Sequence, residues 1–250
     1  MRCRLLNGTL VSALIVVTQF LASTATAADS TSVASAGTKK FKTSYSPVAP
    51  FTAAAAVALY DSLNLRELGL NQKVFLMAVR GMEKLRKMGR LTNDRVLSIV
   101  DFSQPSVNKR LYMIDLLNGT LLYNTLVAHG MKSGKEKAMV FSNKVSSNKS
   151  SLGFYVTSQT YNGNNGYSLR LMGCEKGFND NAARRAIVVH GADYVNEDWI
   201  SSQGYIGRSQ GCPALPPAMS KEMIDEMKDG SCLFIYSPNK LYLSTSKLVK

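Results

Sequence analysis

The sequence predicts a mainly β domain with an α-helical N-terminal extension and one helix after its most informative loop. Three observations carry that reading. Between Thr52 and Met88 apolar residues recur close to helical spacing. From Val96 onward they gather instead into short runs rich in β-branched and aromatic residues, separated by turn formers. Asn118-Gly119 then gives the strongest hairpin signal in the chain. At 250 residues the polypeptide is long enough for one sizeable core and a smaller appendage.

Taken in order, residues 1–27 read as a secretory signal. Met1-Arg2-Cys3-Arg4 is basic, Leu5 to Ala22 is mostly apolar, and Ala25-Thr26-Ala27 supplies small residues for cleavage. Asn7, Thr9, Ser12, Thr18 and Gln19 interrupt the apolar run, which argues against a permanent membrane anchor. No later stretch is apolar enough to span a bilayer, so a protein outside the inner membrane, periplasmic or otherwise extracytoplasmic, is expected. Residues 28–50 are rich in Ser, Thr, Ala and Lys and read as a flexible linker. Residues 51–92 form the helical extension: Thr52 caps a helix over Ala53 to Leu63, and Asn71 caps another over Gln72 to Met88.

The remaining domain, 93–250, is the β part. Strands are expected over Val96 to Phe102, Arg110 to Leu117, Leu121 to Ala128, Gly153 to Ser158, Arg185 to His190 and Ser231 to Tyr236. A helix is expected over Pro217 to Lys228. The Lys- and Ser-rich stretch from Lys132 to Ser151 reads as exposed, and the sheet as mostly antiparallel.

Thirty Lys and Arg against seventeen Asp and Glu give a formal net charge of +13, which suits an anionic partner. Export and the lack of any nucleic-acid-binding motif argue against DNA or RNA. Two histidines without metal-ligand spacing, and no phosphate-binding Gly loop with a Lys, leave no metal or cofactor expected. Loss of the signal removes Cys3 and leaves Cys174, Cys212 and Cys232, an odd number, so at least one thiol stays free. Cys232 lies in an apolar strand-like run and reads as core, while a Cys174–Cys232 bridge stays open as an alternative.

Cys212 differs from both in its Gly- and Pro-flanked loop, Arg208-Ser209-Gln210-Gly211-Cys212-Pro213. Upstream, the apolar run Ile187-Val188-Val189 ends in His190-Gly191. Thiol attack on a carbonyl needs a thiolate, a proton carrier and donors for the oxyanion. A Cys beside a His on a strand end, with backbone N–H groups around Gly211, can supply all three. On pattern alone the alternative is a buried small residue and a structural His.

This segment resembles the signature of YkuD-type L,D-transpeptidases, in which an upstream His ends a strand and a Ser/Thr-His-Gly-Cys loop carries the nucleophile. His190, Ser209, Gly211 and Cys212 match that pattern. Gln210 stands where the commoner pattern has a second His, as in the branch termed murein L,D-transpeptidase catalytic domain. Asn124 to Gly130, Phe141-Ser142-Asn143, Ser150 to Tyr155 and Gly166 to Leu171 resemble that branch too, so the similarity spans roughly Val96 to Tyr236. It implies a β-sandwich or barrel, and 3–3 cross-linking of peptidoglycan stem peptides through a Cys thioester. Carbapenem-type β-lactams are the implied inhibitors.

Carried onto this chain, the resemblance makes Cys212 the nucleophile and His190 the base, with Gly191 and Gly211 shaping the catalytic backbone. Arg208, Ser209, Gln210, His129 and Tyr167 are the expected substrate-binding residues. Arg170, Arg184 and Arg185 also suit carboxylate recognition, though a solvated surface role fits each of them better. Water as acceptor would make the enzyme an L,D-carboxypeptidase or wall cysteine peptidase, and loss of the chemistry would leave a peptidoglycan-binding protein.

Overall fold

The computed structural model describes residues 51–250. The expected signal, the linker and Cys3 lie outside these residues. Helix α1 (Ala53–Ser62) begins at Thr52, whose Oγ1 accepts the Ala55 N–H at 3.1 Å, and α2 (Gln72–Lys87) begins at Asn71, whose Oδ1 accepts the Lys73 N–H at 2.9 Å. Each cap satisfies a backbone donor that the first helical turn would leave free.

Eight strands follow: β1 (Val96–Asp101), β2 (Leu111–Asp115), β3 (Thr120–Thr125), β4 (Gly153–Gly163), β5 (Gly166–Gly173), β6 (Val188–Gly191), β7 (Ala214–Leu215) and β8 (Cys232–Tyr236). They form one sheet in the order β3-β2-β1-β8-β4-β5-β6-β7. The β1–β8 and β6–β7 pairs are parallel and the others antiparallel. The edge strand β7 reaches the segment that leaves β3, where the Ala128 N–H donates to Ala214 O at 2.9 Å. The sheet therefore nearly closes into a barrel, as the mainly β class predicted.

Strands β1, β2 and β8 are buried along their whole length. That explains their continuous apolar sequence, since a strand covered on both faces loses the in/out alternation. One cover is α2, which turns Phe75, Ala78, Val79, Met82 and Leu85 onto β1 and β8. Tyr60 of α1 meets Phe75 with ring centroids 5.7 Å apart. Gly81 sits where α2 crosses the stacked Phe154–Phe234 pair, and a Cβ there would fall 2.0 Å from the Phe154 ring. A second cover is α4 (Pro217–Met227), which buries Met223, Ile224 and Met227.

Several expected boundaries shift. The hairpin after β2 is longer than a two-residue Asn-Gly turn: Asp115 Oδ1 accepts the N–H groups of Leu117 and Asn118, both at 2.9 Å, and Gly119 alone takes positive φ. β4 runs past Ser158 through an irregularity between Thr157 and Thr160, and turns at Asn164-Asn165 into β5, a strand not expected from the sequence. Arg185 to Ile187 is a turn, with Ala186 at φ +51°, so β6 starts only at Val188. The Lys132 to Ser151 stretch is not uniformly exposed, because Ser133, Ala138, Ser150 and Ser151 are buried. Two further short helices appear, α3 (Glu197–Gln203) and α5 (Lys240–Thr245). Cys174 and Cys232 are both free thiols.

Alanine at position 81 would ordinarily favour a helix by about 1 kcal/mol. Against Phe154 it overpacks the interface, so Gly81→Ala should destabilise the domain by about 1–3 kcal/mol in urea unfolding. Unchanged or raised stability would show that α2 is free to move off the sheet.

Candidate active site

A cleft of about 830 Å³ opens where β6 ends, and both Cys212 and His190 line it. His190 closes β6, paired with Ser168 of β5 on one side and Ala214 of β7 on the other. Its Nδ1 lies 2.8 Å from Gly191 O. A carbonyl can only accept, so Nδ1 carries the proton and Nε2 is left as the basic nitrogen. Desolvation lowers the imidazole pKa and the Gly191 carbonyl opposes this. Gly191 itself packs against α4, where a Cβ would lie 2.5 Å from Ser220 Oγ.

Cys212 is only 8 % exposed. Its Sγ accepts the Val188 N–H at 3.5 Å and faces Ala186 O at 3.7 Å. Burial raises the thiol pKa, while the Val188 N–H and the Arg185 guanidinium pull it down. Burial thus favours the neutral form of each group, the Cys212 thiol and the His190 imidazole.

The loop carrying Cys212 is fixed from inside by Ser209. The Ser209 hydroxyl donates to Cys212 O at 2.6 Å and accepts the Gly211 N–H at 3.0 Å. The Ser209 side chain is therefore engaged within the loop, and the Gly211 N–H, among the backbone donors expected around this position, is already bonded. Among the described residues no acceptor meets the N–H of Gln210 or Cys212. Gly211 takes φ +128°, and a Cβ there would come within 2.8 Å of Lys149 O.

Two supports hold this loop from outside. On one side Arg185 donates to Ser142 O at 2.8 Å, to Ser151 Oγ at 2.7 Å, and to Ser147 Oγ and Lys149 O. Arg185 is half-buried beneath Gly211 and is no solvated surface residue. On the other side the Ser209 N–H donates to His129 O at 2.9 Å and the Met131 N–H to Ser209 O at 2.7 Å.

His129, expected at the substrate site, faces away from the cleft and is fully buried. Its Nε2–H donates to Gly134 O at 3.2 Å, and its Nδ1 accepts from Arg110 at 2.8 Å. Desolvation, then the charges of Arg110 and Arg208, push its pKa down to about 3. Tyr167 is likewise displaced from its expected place: its hydroxyl donates to Asp225 at 2.7 Å, and the ring borders a separate shallow depression behind Gly191. Arg208 and Gln210 do line the cleft, with Arg208 donating to Met131 O at 3.3 Å and Gly134 O at 3.0 Å.

Among the cleft residues that sequence reasoning missed, Tyr194 and Ala186 bear on Cys212. Tyr194 lines the cleft, and burial with the nearby Cys212 raises its hydroxyl pKa to about 12. Its ring fits because position 207 is Gly; a Cβ there would lie 2.3 Å from Tyr194 Cβ. The other is Ala186, whose left-handed backbone carries the carbonyl facing Sγ; no composition signal marks such a site. Among the described residues, no group of three or more His, Cys, Asp or Glu side chains is placed to hold a metal. No described helix is long and apolar enough to cross a membrane.

The model of the L,D-transpeptidase catalytic domain matches residues 66–236. This chain belongs to that family. The match takes in α2, all eight strands and the cleft. No curated protein sequence matches. Among solved structures, the chain is similar to an L,D-transpeptidase, LdtMt1, in complex with imipenem, at 15 % identity over 57 % of this chain and 59 % of that one, TM-score 0.35. It is also similar to an L,D-transpeptidase from Stackebrandtia nassauensis, at 14 % identity over 75 % and 78 %, TM-score 0.35. A helical cell shape determining protein, Pgp2, from Campylobacter jejuni aligns at 15 % identity over 64 % and 57 %, TM-score 0.39. The chain thus spans less than two thirds of the length of LdtMt1 and of Pgp2.

Two measurements follow from the site's electrostatics. Because burial raises the Cys212 pKa, alkylation of the free protein by iodoacetamide should keep accelerating beyond the pH at which an ordinary cysteine levels off. Arg185→Gln should push that profile further to alkaline pH, and a plateau near neutrality would show a preformed thiolate. The depressed His129 pKa means the unfolded chain binds more protons between pH 6.5 and about 3. Stability from this group is complete above that window and falls on acidification, at up to about 1.4 kcal/mol per pH unit. Wild type should therefore lose urea resistance more steeply than His129→Gln across the window; parallel profiles would refute it.

Proposed function

We propose that the protein is an exported cysteine acyltransferase acting on peptidoglycan stem peptides, an L,D-transpeptidase forming 3–3 cross-links. The observation that carries this reading is the tautomer of His190: with Nδ1–H tied to Gly191 O, a basic Nε2 shares the cleft with Cys212 Sγ. Family membership supplies the reaction class, and residues 1–27 supply the export signal that a wall substrate requires.

In the mechanism, substrate binding excludes water from the cleft and His190 Nε2 takes the Sγ proton. Sγ attacks the acyl carbonyl, and the oxyanion forms beside the N–H groups of Gln210 and Cys212. The imidazolium then returns its proton to the leaving amine of the terminal D-amino acid, and the C–N bond breaks to leave a thioester. An amine from a neighbouring stem loses its proton to Nε2, attacks the thioester and displaces the Cys212 sulfur as the thiol. Carbapenem-type β-lactams, whose ring carbonyl is an acyl donor, should acylate the same sulfur.

The test is mass spectrometry of products from a disaccharide-tetrapeptide incubated with the wild type and with Cys212→Ala. The expected result is loss of the terminal residue with a cross-linked dimer in the wild type alone. Tripeptide without dimer would make water the acceptor and the enzyme a carboxypeptidase. Full activity in Cys212→Ala would overturn the thioester mechanism.

A further inference from the structure

The cleft is cationic and holds no acid. Arg184, Arg185 and Arg208 line it, and no Asp or Glu does. The three guanidinium groups differ in what their donors already hold. Arg185 is engaged by the loop supports described above. Arg208 gives only Nη1 to the Met131 and Gly134 carbonyls, with Tyr205 beneath it at 5.4 Å, so Nε and Nη2 keep no acceptor among the described residues. Arg184 is exposed and makes no hydrogen bond or ion pair among the described residues.

Of the acids on nearby elements, Asp180 and Asp225 are occupied. Asp180 accepts from Asn143 and from the Gly177 N–H, both at 2.7 Å. Asp225 is bonded to Tyr167, Lys221 and Lys228. The remaining polar wall, including Ser146, Asn148, Asn164 and Asn165, is uncharged. A guanidinium with free, parallel donors pairs bidentately with a carboxylate. A primary carboxamide offers it one neutral acceptor and an opposing N–H, so one donor stays unmatched.

We propose that Arg184 and Arg208 select acyl donors whose carboxylates are free, and discriminate against the same peptides with those carboxylates capped as primary amides. This rests on the acyl-transfer reading of the cleft and names the class of donor within it. The two arginines sit on different loops, before β6 and before the Cys212 turn, so they can engage separate carboxylates of one extended peptide.

The experiment is titration calorimetry with the full chain carrying Cys212→Ala, which cannot turn its ligand over. The ligands are a synthetic stem tetrapeptide with free carboxylates and its fully amidated counterpart. At low salt the acid form should bind at least about tenfold more tightly. That gap should narrow with added salt and in each of Arg184→Gln and Arg208→Gln. Equal affinity for the two peptides, or binding of neither, overturns the proposal; a gap unchanged by a substitution removes that arginine from the selection. Turnover by the wild type separates this from the underlying reading. A binding gap without turnover leaves the selection standing and the acyl transfer refuted. Equal turnover of both peptides refutes the selection and leaves the chemistry.

Discussion

The guanidinium of Arg110 is wholly buried and has no ion-pair partner among the described residues, yet the near-closure of the sheet depends on it. It donates to Val127 O twice, at 3.2 and 2.9 Å, to Gln104 O at 2.9 Å and to His129 Nδ1 at 2.8 Å, and lies 4.8 Å from the Phe102 ring centroid. Burial lowers its pKa to about 9, so it remains charged at neutral pH. Removing a buried charge from water costs several kcal/mol unless its donors are matched. Here they are matched by the Gln104 carbonyl of the loop after β1, and by the Val127 carbonyl and the His129 imidazole of the segment leaving β3. That segment cannot drift from the sheet without stranding a charge, and it is the segment to which both Ser209 and Ala214 are bonded.

The Cys212 loop consequently hangs between two arginine-anchored walls. Arg110 fixes the 127–131 segment on one side, and Arg185 gathers the 142–151 segment on the other. Ser209 then shapes the loop itself, and Ala186 in a left-handed conformation turns its carbonyl toward Sγ. The positions of the loop's backbone atoms therefore follow from the sheet and its supports. Gln210, Tyr194, Arg184 and Arg208 are side chains that face the cleft.

Legibility in the sequence followed the type of interaction. Local signals were readable: Thr52 and Asn71 as caps, the β-rich runs, the helix from Pro217, and the Cys212 loop from its Gly and Pro. β5 escaped although Tyr167-Ser168-Leu169-Arg170-Leu171 alternates apolar with polar residues, because its turn, Asn164-Asn165, lies inside a longer polar run. α3 escaped although Asn196, Glu197 and Asp198 form a proper N-terminal signal and Gly204 a C-terminal one, since its seven residues are too few to show an apolar face and none is fully buried. His129 and Arg185 were misjudged for a common reason: their roles arise from long-range contacts with Arg110 and with the 142–151 segment. No spacing along the chain reveals whether a His faces a ligand or a buried Arg. The parallel pairing of β1 with β8 is equally non-local.

A thiol that is almost wholly covered has a bearing on chemical wear. Oxidation of cysteine to the sulfenic acid and beyond proceeds through the exposed thiolate. Cys212 is almost wholly covered and burial favours its protonated form, so peroxide meets little of what it attacks. The same burial therefore shields the sulfur from oxidants in solution.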